Sequence, residues 1–208
     1  MNTWESGKKM KAMLRVLEKQ RGNRGLMANL KAGLRETKEH RAWNFLTLFC
    51  DPNHAGTFEV FRTIAGLFAA YPPDKMEEEN REQSTDTARE AQKGSNMGYT
   101  CRLLCRDDEE KNLSVNLEGI QSGVPEELVA ADPFRDGPMA RRLKFLLDAD
   151  PHDIREICFR VIRIVLYAKS KKITVNYETL GYDLLQWNAE EADKVRRRWA
   201  RAFWRGKS

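Results

Sequence analysis

From Met139 to Ser208 apolar residues return at three- and four-residue steps through successive stretches, and no run alternates with the two-residue period of a strand. That pattern confines the chain to helices packed through single apolar stripes. Pro138 marks the first helix start, and Leu143, Leu146 and Leu147 face inward after it. Asp150-Pro151-His152-Asp153 reads as a second start, with Asp150 at the cap, proline at the first helical position and an acid at the third. The helix it opens, over 151–169, is expected to bury Ile154, Ile157, Cys158, Val161, Ile162, Val165 and Leu166. ITVNY reads as extended. A helix over Tyr177 to Trp187 then turns Leu180, Leu184, Leu185 and Trp187 inward. Asn188 followed by Glu191 resembles a capping box, and the last helix carries Val195, Trp199 and Phe203 at four-residue steps.

The preceding chain is also helical. Met10, Met13, Leu14 and Leu17 define a helix over Trp4 to Lys19, which RGNRG ends. Leu26, Met27, Leu30 and Leu34 predict a second over Leu26 to Lys38, and Trp43, Phe45, Leu46 and Phe49 a buried one over Ala42 to Cys50. Thr57 to Tyr71 is strongly apolar, with only Glu59 and Arg62 charged, and should be the central helix of its half. Residues 74–96 have almost no apolar content and read as a mobile loop or a frayed helix. A short helix over Met97 to Cys105 leads into acidic residues 107–138, with room for one short helix near Glu126 to Ala131. The expected fold is all-α: two packed helical-bundle halves, of about eight or nine helices. The N-terminal helical half is 1–73, followed by the acidic loop 74–96, a connecting helix with an acidic insertion over 97–138, and the basic C-terminal half 139–208.

Charge divides the same way. The formal net charge of +5 resolves into +7 for residues 1–50, −9 for 51–138 and +7 for 139–208. Basic ends around an acidic middle suit polyanion-binding faces. Lys31, Arg35 and Lys38 share one predicted helix face, and an ordinary solvated face and a polyanion contact both fit them. Arg141 and Arg142 lie beside the inward leucines, Arg160 and Arg163 beside the long apolar stripe. Lys194, Arg197, Arg198, Arg201 and Arg205 fill one side of the last helix. Trp187, Trp199 and Phe203 sit at core spacing and are expected inside rather than against bases.

Catalytic chemistry has no visible carrier. Phosphate-loop, nucleophile-elbow and zinc-protease motifs are missing, and His40, His54 and His152 lie in unrelated segments. Cys50, Cys101, Cys105 and Cys158 form no metal-binding pair and are expected as reduced, mostly buried thiols. Asp183 lies inside an apolar helix pattern, where it suits a cap or a buried ion pair better than metal-assisted hydrolysis. The chain is therefore expected to be no enzyme and to take no cofactor or metal. No apolar run approaches the roughly 18–20 residues of a membrane span, and a cytoplasmic location without membrane contact is expected.

The C-terminal stretch TVNYETLGYDLLQWN…DKVRRRWARAFW resembles the closing signature of the CasB-type small subunit of Cascade, the type I-E CRISPR surveillance complex. Tyr177, Leu180, Asp183, Leu184, Trp187, Val195, Arg198, Trp199, Ala200 and Phe203 carry the likeness. RRLKFLLDADPHDIREICFRVIRIVLYAKSKKI resembles the segment that precedes it in that family. GNRGLMANLKAGL, a buried Trp43, FRTIAGLFAAYP and SNMGYTCRLL agree more loosely. Residues 107–138 depart, looking longer than the family needs.

The resemblance implies a non-catalytic helical protein present as two copies along the assembly, against the backbone and large subunits. There it would stabilise the heteroduplex of crRNA and target DNA and the displaced strand of the R-loop, cleavage being left to a separately recruited helicase-nuclease. Base pairing reads sequence in such systems, so the protein's part is backbone contact. The residues expected to make it are Lys31, Arg35, Arg141, Arg142, Arg160 and Arg163, followed by Arg198 and Arg201. One rival is a helix-turn-helix regulator over residues 177–205, although Glu190, Glu191 and Asp193 would put carboxylates where a recognition helix meets DNA. The other is a protein-only scaffold whose arginines meet acidic partners.

Overall fold

The apolar stripes condense into helices close to where their periodicity places them. The computed structural model describes residues 3–73, 95–107, 133–187 and 191–205. The helices are α1 (Thr3–Lys19), α2 (Arg24–Ala32), α3 (His40–Leu46), α4 (Ala55–Ala70), α5 (97–107), α6 (Pro133–Asp136), α7 (Pro138–Leu147), α8 (Ile154–Ser170), α9 (Tyr177–Trp187) and α10 (Ala192–Trp204). A single 3-10 turn spans Glu36–Lys38. Among the described residues there is no strand, and 173–176 run between helices without pairing.

α4 lies at the centre because it is apolar on every side: all residues from Phe58 to Phe68 are buried. α1, α2, α3, α8 and α9 pack against it. Its two charges neutralise each other, as burial demands. Arg62 Nε donates to Glu59 Oε2 at 3.0 Å, and Arg62 Nη1 donates to the Gly33 carbonyl at 2.6 Å. α1 docks on α9, with Met10 lying against Gly181, where a Cβ would come within 2.9 Å of Met10 Cγ. Lys11 Nζ meets Glu178 Oε1 at 2.7 Å at the edge of that contact. The Tyr177 hydroxyl donates to the Tyr71 carbonyl at 2.7 Å, joining the end of α4 to the start of α9. α5 touches α10 so closely that a Cβ on Gly98 would run into the Trp199 backbone. One continuous apolar core, from Met10 to Phe203, results. Cys50, Cys101, Cys105 and Cys158 are free and buried, and burial pushes the Cys50 and Cys158 thiols up to about 12.

Several boundaries differ from the sequence expectation for tertiary reasons. α2 ends at Ala32 rather than Lys38; Arg62 takes the Gly33 carbonyl, and Arg35 is extended (φ −88°, ψ 129°). Of the four residues expected to be buried there, only Leu30 is; Leu26, Met27 and Leu34 are half-buried. α3 begins at His40, and Trp43 is 44% exposed, its edge on Phe58 with centroids 6.3 Å apart, instead of buried. α8 starts three residues later than expected. Its cap is Asp153, whose side chain accepts from Glu156 N at 2.9 Å, while Asp150 Oδ1 accepts from His152 N at 2.9 Å in the turn before. Ile164 and Ala168 fill the core where Ile162 and Leu166 were expected; Leu166 is 38% exposed. α10 begins at Ala192 with Glu191 at its cap, and Asn188 lies outside the described residues. So do most of the loop over 74–96 and the expected short helix at Glu126 to Ala131.

Candidate nucleic-acid interface

An outward-facing basic surface is built on α7 and α8. At about 100° per residue, the inward set of α8 leaves Arg155, Phe159, Arg163 and Leu166 on the opposite side. All four are exposed. At one flank Arg155 lies 3.7 Å from Glu36 of the 3-10 turn. At the other, Arg160 leans onto α7: its Nε donates to Glu156 Oε1 at 2.7 Å and its Nη1 to the Phe145 carbonyl. Its guanidinium carbon is 5.8 Å from the Phe145 ring centre. Arg163 stands 5.8 Å from the Phe159 ring, and Arg142 of α7 stands 4.9 Å from Tyr167 of α8. A guanidinium resting beside a ring keeps its charge outward and gives up some rotamer freedom in advance. Among the described residues neither Arg142 nor Arg163 is ion-paired to a carboxylate.

The arginines of α10 are arranged differently. Asp183 of α9 is 1% exposed, and both of its oxygens are used. One accepts from Arg198 and the other from Trp199 Nε1. Burial raises the Asp183 pKa, and the Trp199 hydrogen bond and the Arg198 charge pull it back. Arg198 also donates to Gln186 Oε1 at 2.9 Å. Arg196 reaches the Ala149 carbonyl across the Trp187 ring, which itself packs on Trp199 at 4.9 Å. Lys194 meets Glu191 at 2.7 Å, and that contact holds the Glu191 carboxyl below its ordinary range. Arg197 and Arg201 remain exposed.

The structure therefore separates the expected contact residues. Arg142, Arg160 and Arg163 come together on the α7–α8 face, with Arg141 exposed on α7. Lys31 is exposed on α2, but Arg35 lies beyond the end of that helix, so the expected common helix face does not form. Arg198 is bonded into the α9–α10 packing, and Asp183 is its buried ion-pair partner rather than a cap. Sequence reasoning passed over Phe145 and Phe159, which are 68% and 53% exposed. Their signal was present: both fall off the inward register of their helices. Among the described residues no group of three or more His, Cys, Asp or Glu could hold a metal ion, and no helix is long and apolar enough to cross a membrane.

The family model described as CRISPR-associated protein Cse2 matches residues 26–204, from α2 through the end of α10. Neither the curated proteins nor the solved structures yield a match.

Proposed function

The chain belongs to the Cse2 family of CRISPR-associated proteins, and we propose that it acts as the non-catalytic small subunit of a type I-E Cascade complex in the cytoplasm. In this reading it lies against the backbone and large subunits beside a second copy of itself. It binds the crRNA–target DNA heteroduplex and the displaced strand through their backbones. The observation that carries the reading is the α7–α8 face, where Arg142 and Arg163 are exposed, braced against rings and free of carboxylate partners among the described residues. Arginines held on fixed helices neutralise phosphates without reading base edges, which suits a complex whose sequence specificity comes from base pairing. Arg141 and Arg160 flank the face; Lys31, Arg35 and Arg201 are exposed cations that could extend phosphate contact elsewhere.

The test is target binding by a reconstituted complex carrying Arg142→Ala with Arg163→Ala. The expected result is normal incorporation of the subunit and weaker R-loop retention, with a shallower salt dependence. Unchanged target affinity with the subunit retained would overturn the assignment of this face. For the isolated protein, binding to DNA and RNA of mixed sequence should be weak and steeply salt-dependent. Preference for one palindromic duplex would instead support a helix-turn-helix regulator. The start of α10 speaks against that alternative, because Asp193 and the ionised Glu191 sit at the helix end that would meet the groove. No binding even at low salt would favour a protein-only scaffold.

A further inference from the structure

Resting on the reading above, we propose that Phe145 and Phe159 are stacking platforms for unpaired bases, which makes the α7–α8 face selective for single-stranded nucleic acid over duplex. The two rings are 68% and 53% exposed on helices whose own apolar stripes are fully satisfied without them. Neither ring is needed to close the core. Each has a guanidinium carbon 5.8 Å from its centre, Arg160 at Phe145 and Arg163 at Phe159. The Arg160 contacts to the Phe145 carbonyl and ring tie the two helices together at this point. The surface thus pairs ring with cation twice, on rigid elements rather than on a loop.

A single strand matches this pairing part by part. Its phosphates meet Arg142 and Arg163, Arg160 being already paired with Glu156 and serving to brace Phe145. Its splayed bases lie on the rings, a contact that tolerates any sequence because every base has a π-face. A duplex offers the same phosphates but keeps its bases paired and stacked inside, out of reach of a ring standing beside the backbone. An apolar protein segment would cover the rings, with Leu166 extending the strip, but would have to desolvate Arg142 and Arg163 without supplying a counter-charge. Charge complementarity therefore favours the nucleic acid strand as the occupant.

The test uses the full chain with a thymine homopolymer of about 16 nucleotides and a mixed-sequence duplex of similar length, followed by fluorescence anisotropy. Phe145→Ala with Phe159→Ala should lower single-strand affinity by about tenfold or more, with duplex affinity and the salt slope unchanged. Phe145→Leu with Phe159→Leu, which keeps apolar area but removes the π-face, should lose nearly as much, and the corresponding Trp pair should bind at least as well as the parent. Because both rings are exposed, all variants should keep the parent's melting temperature. Equal losses on single strand and duplex, or full binding by the Leu pair, would overturn stacking. So would a Phe159→Ala subunit that binds the strand normally yet fails to enter a reconstituted complex, since the face would then belong to a protein partner. The underlying functional reading fails separately: there Arg142→Ala with Arg163→Ala would leave single-strand binding unaltered, whereas an arginine effect without a phenylalanine effect sinks only the stacking.

Discussion

The α7–α8 face and the α9–α10 pair contain the same ingredients, arginines interleaved with aromatic side chains, and use them in opposite senses. In α9–α10 Trp187 and Trp199 are buried, and Arg196 and Arg198 are bonded to backbone and carboxylate oxygens around them. On α7–α8 the phenylalanines and most of the arginines face outward. The deciding element is Asp183. A buried carboxylate at the α9–α10 seam recruits the nearest guanidinium and indole N–H to satisfy it. At the outer side of α8, Glu156 engages Arg160 and Glu36 lies beside Arg155, which leaves Arg163 without a carboxylate partner among the described residues. Basic density along a sequence thus marks candidates, and the position of the carboxylates decides which arginines remain available.

The contrast can be broken most forcefully at Trp199. Replacing this fully buried ring with alanine should cost about 3–5 kcal/mol in chemical denaturation. A loss below about 1 kcal/mol would mean that the α9–α10 aromatics are not core. Asp183→Asn should come next, at about 2 kcal/mol, because it weakens the bond to Arg198 and disturbs the acceptor of the Trp199 N–H; Arg198 is 40% exposed, so water softens the loss. On the other face, Arg142→Ala with Arg163→Ala should change stability by less than about 0.5 kcal/mol while flattening the salt dependence of single-strand binding by about 1 to 2 in log–log slope. If that pair instead destabilised the fold as Asp183→Asn does, the two regions would not differ as described.

The smallest effect expected near neutral pH is at the thiols. Cys50 and Cys158 are held protonated by burial up to about 12, so alkylation at pH 8 should be negligible until the protein is unfolded. The unfolded thiols ionise near 8.5, below the folded value. Their contribution to stability is therefore complete below about 8.5 and declines as pH rises toward the folded value, which a melting series up to pH 10 would register.

The stripes of α1, α4, α9 and α10 were legible in the sequence because each buries one continuous face or, in α4, all of them. The end of α2 was not, since it depends on Arg62 of a later helix capturing the Gly33 carbonyl. Nor was the start of α8: Asp150 and Asp153 both satisfy the local capping rule, and only the fold decides that Asp153 caps while Asp150 closes the preceding turn. Trp43 failed for a related reason, as α3 begins earlier than its apolar residues suggest and turns Ala42 and Leu46 inward. For the candidate interface, the arginine positions could be read but their pairing could not. Arg198 looked like part of a free basic stripe because its partner lies on another helix. Phe159 showed itself only by omission, as the aromatic that the inward period of α8 did not need.

The docking of α1 on α9 has a consequence for how the chain reaches its native state. Lys11 and Glu178 are 167 positions apart, and Met10 depends on Gly181 for its cover. During synthesis the first helix leaves the ribosome long before its main apolar partner exists, and closing so long a loop is an entropic cost that local contacts cannot offset early. The inner side of α1 must then stay exposed, or be held by α4, until the α9 sequence emerges. Domain-by-domain folding from the N-terminus, the usual order for longer chains, is thus denied the last step of its own first segment.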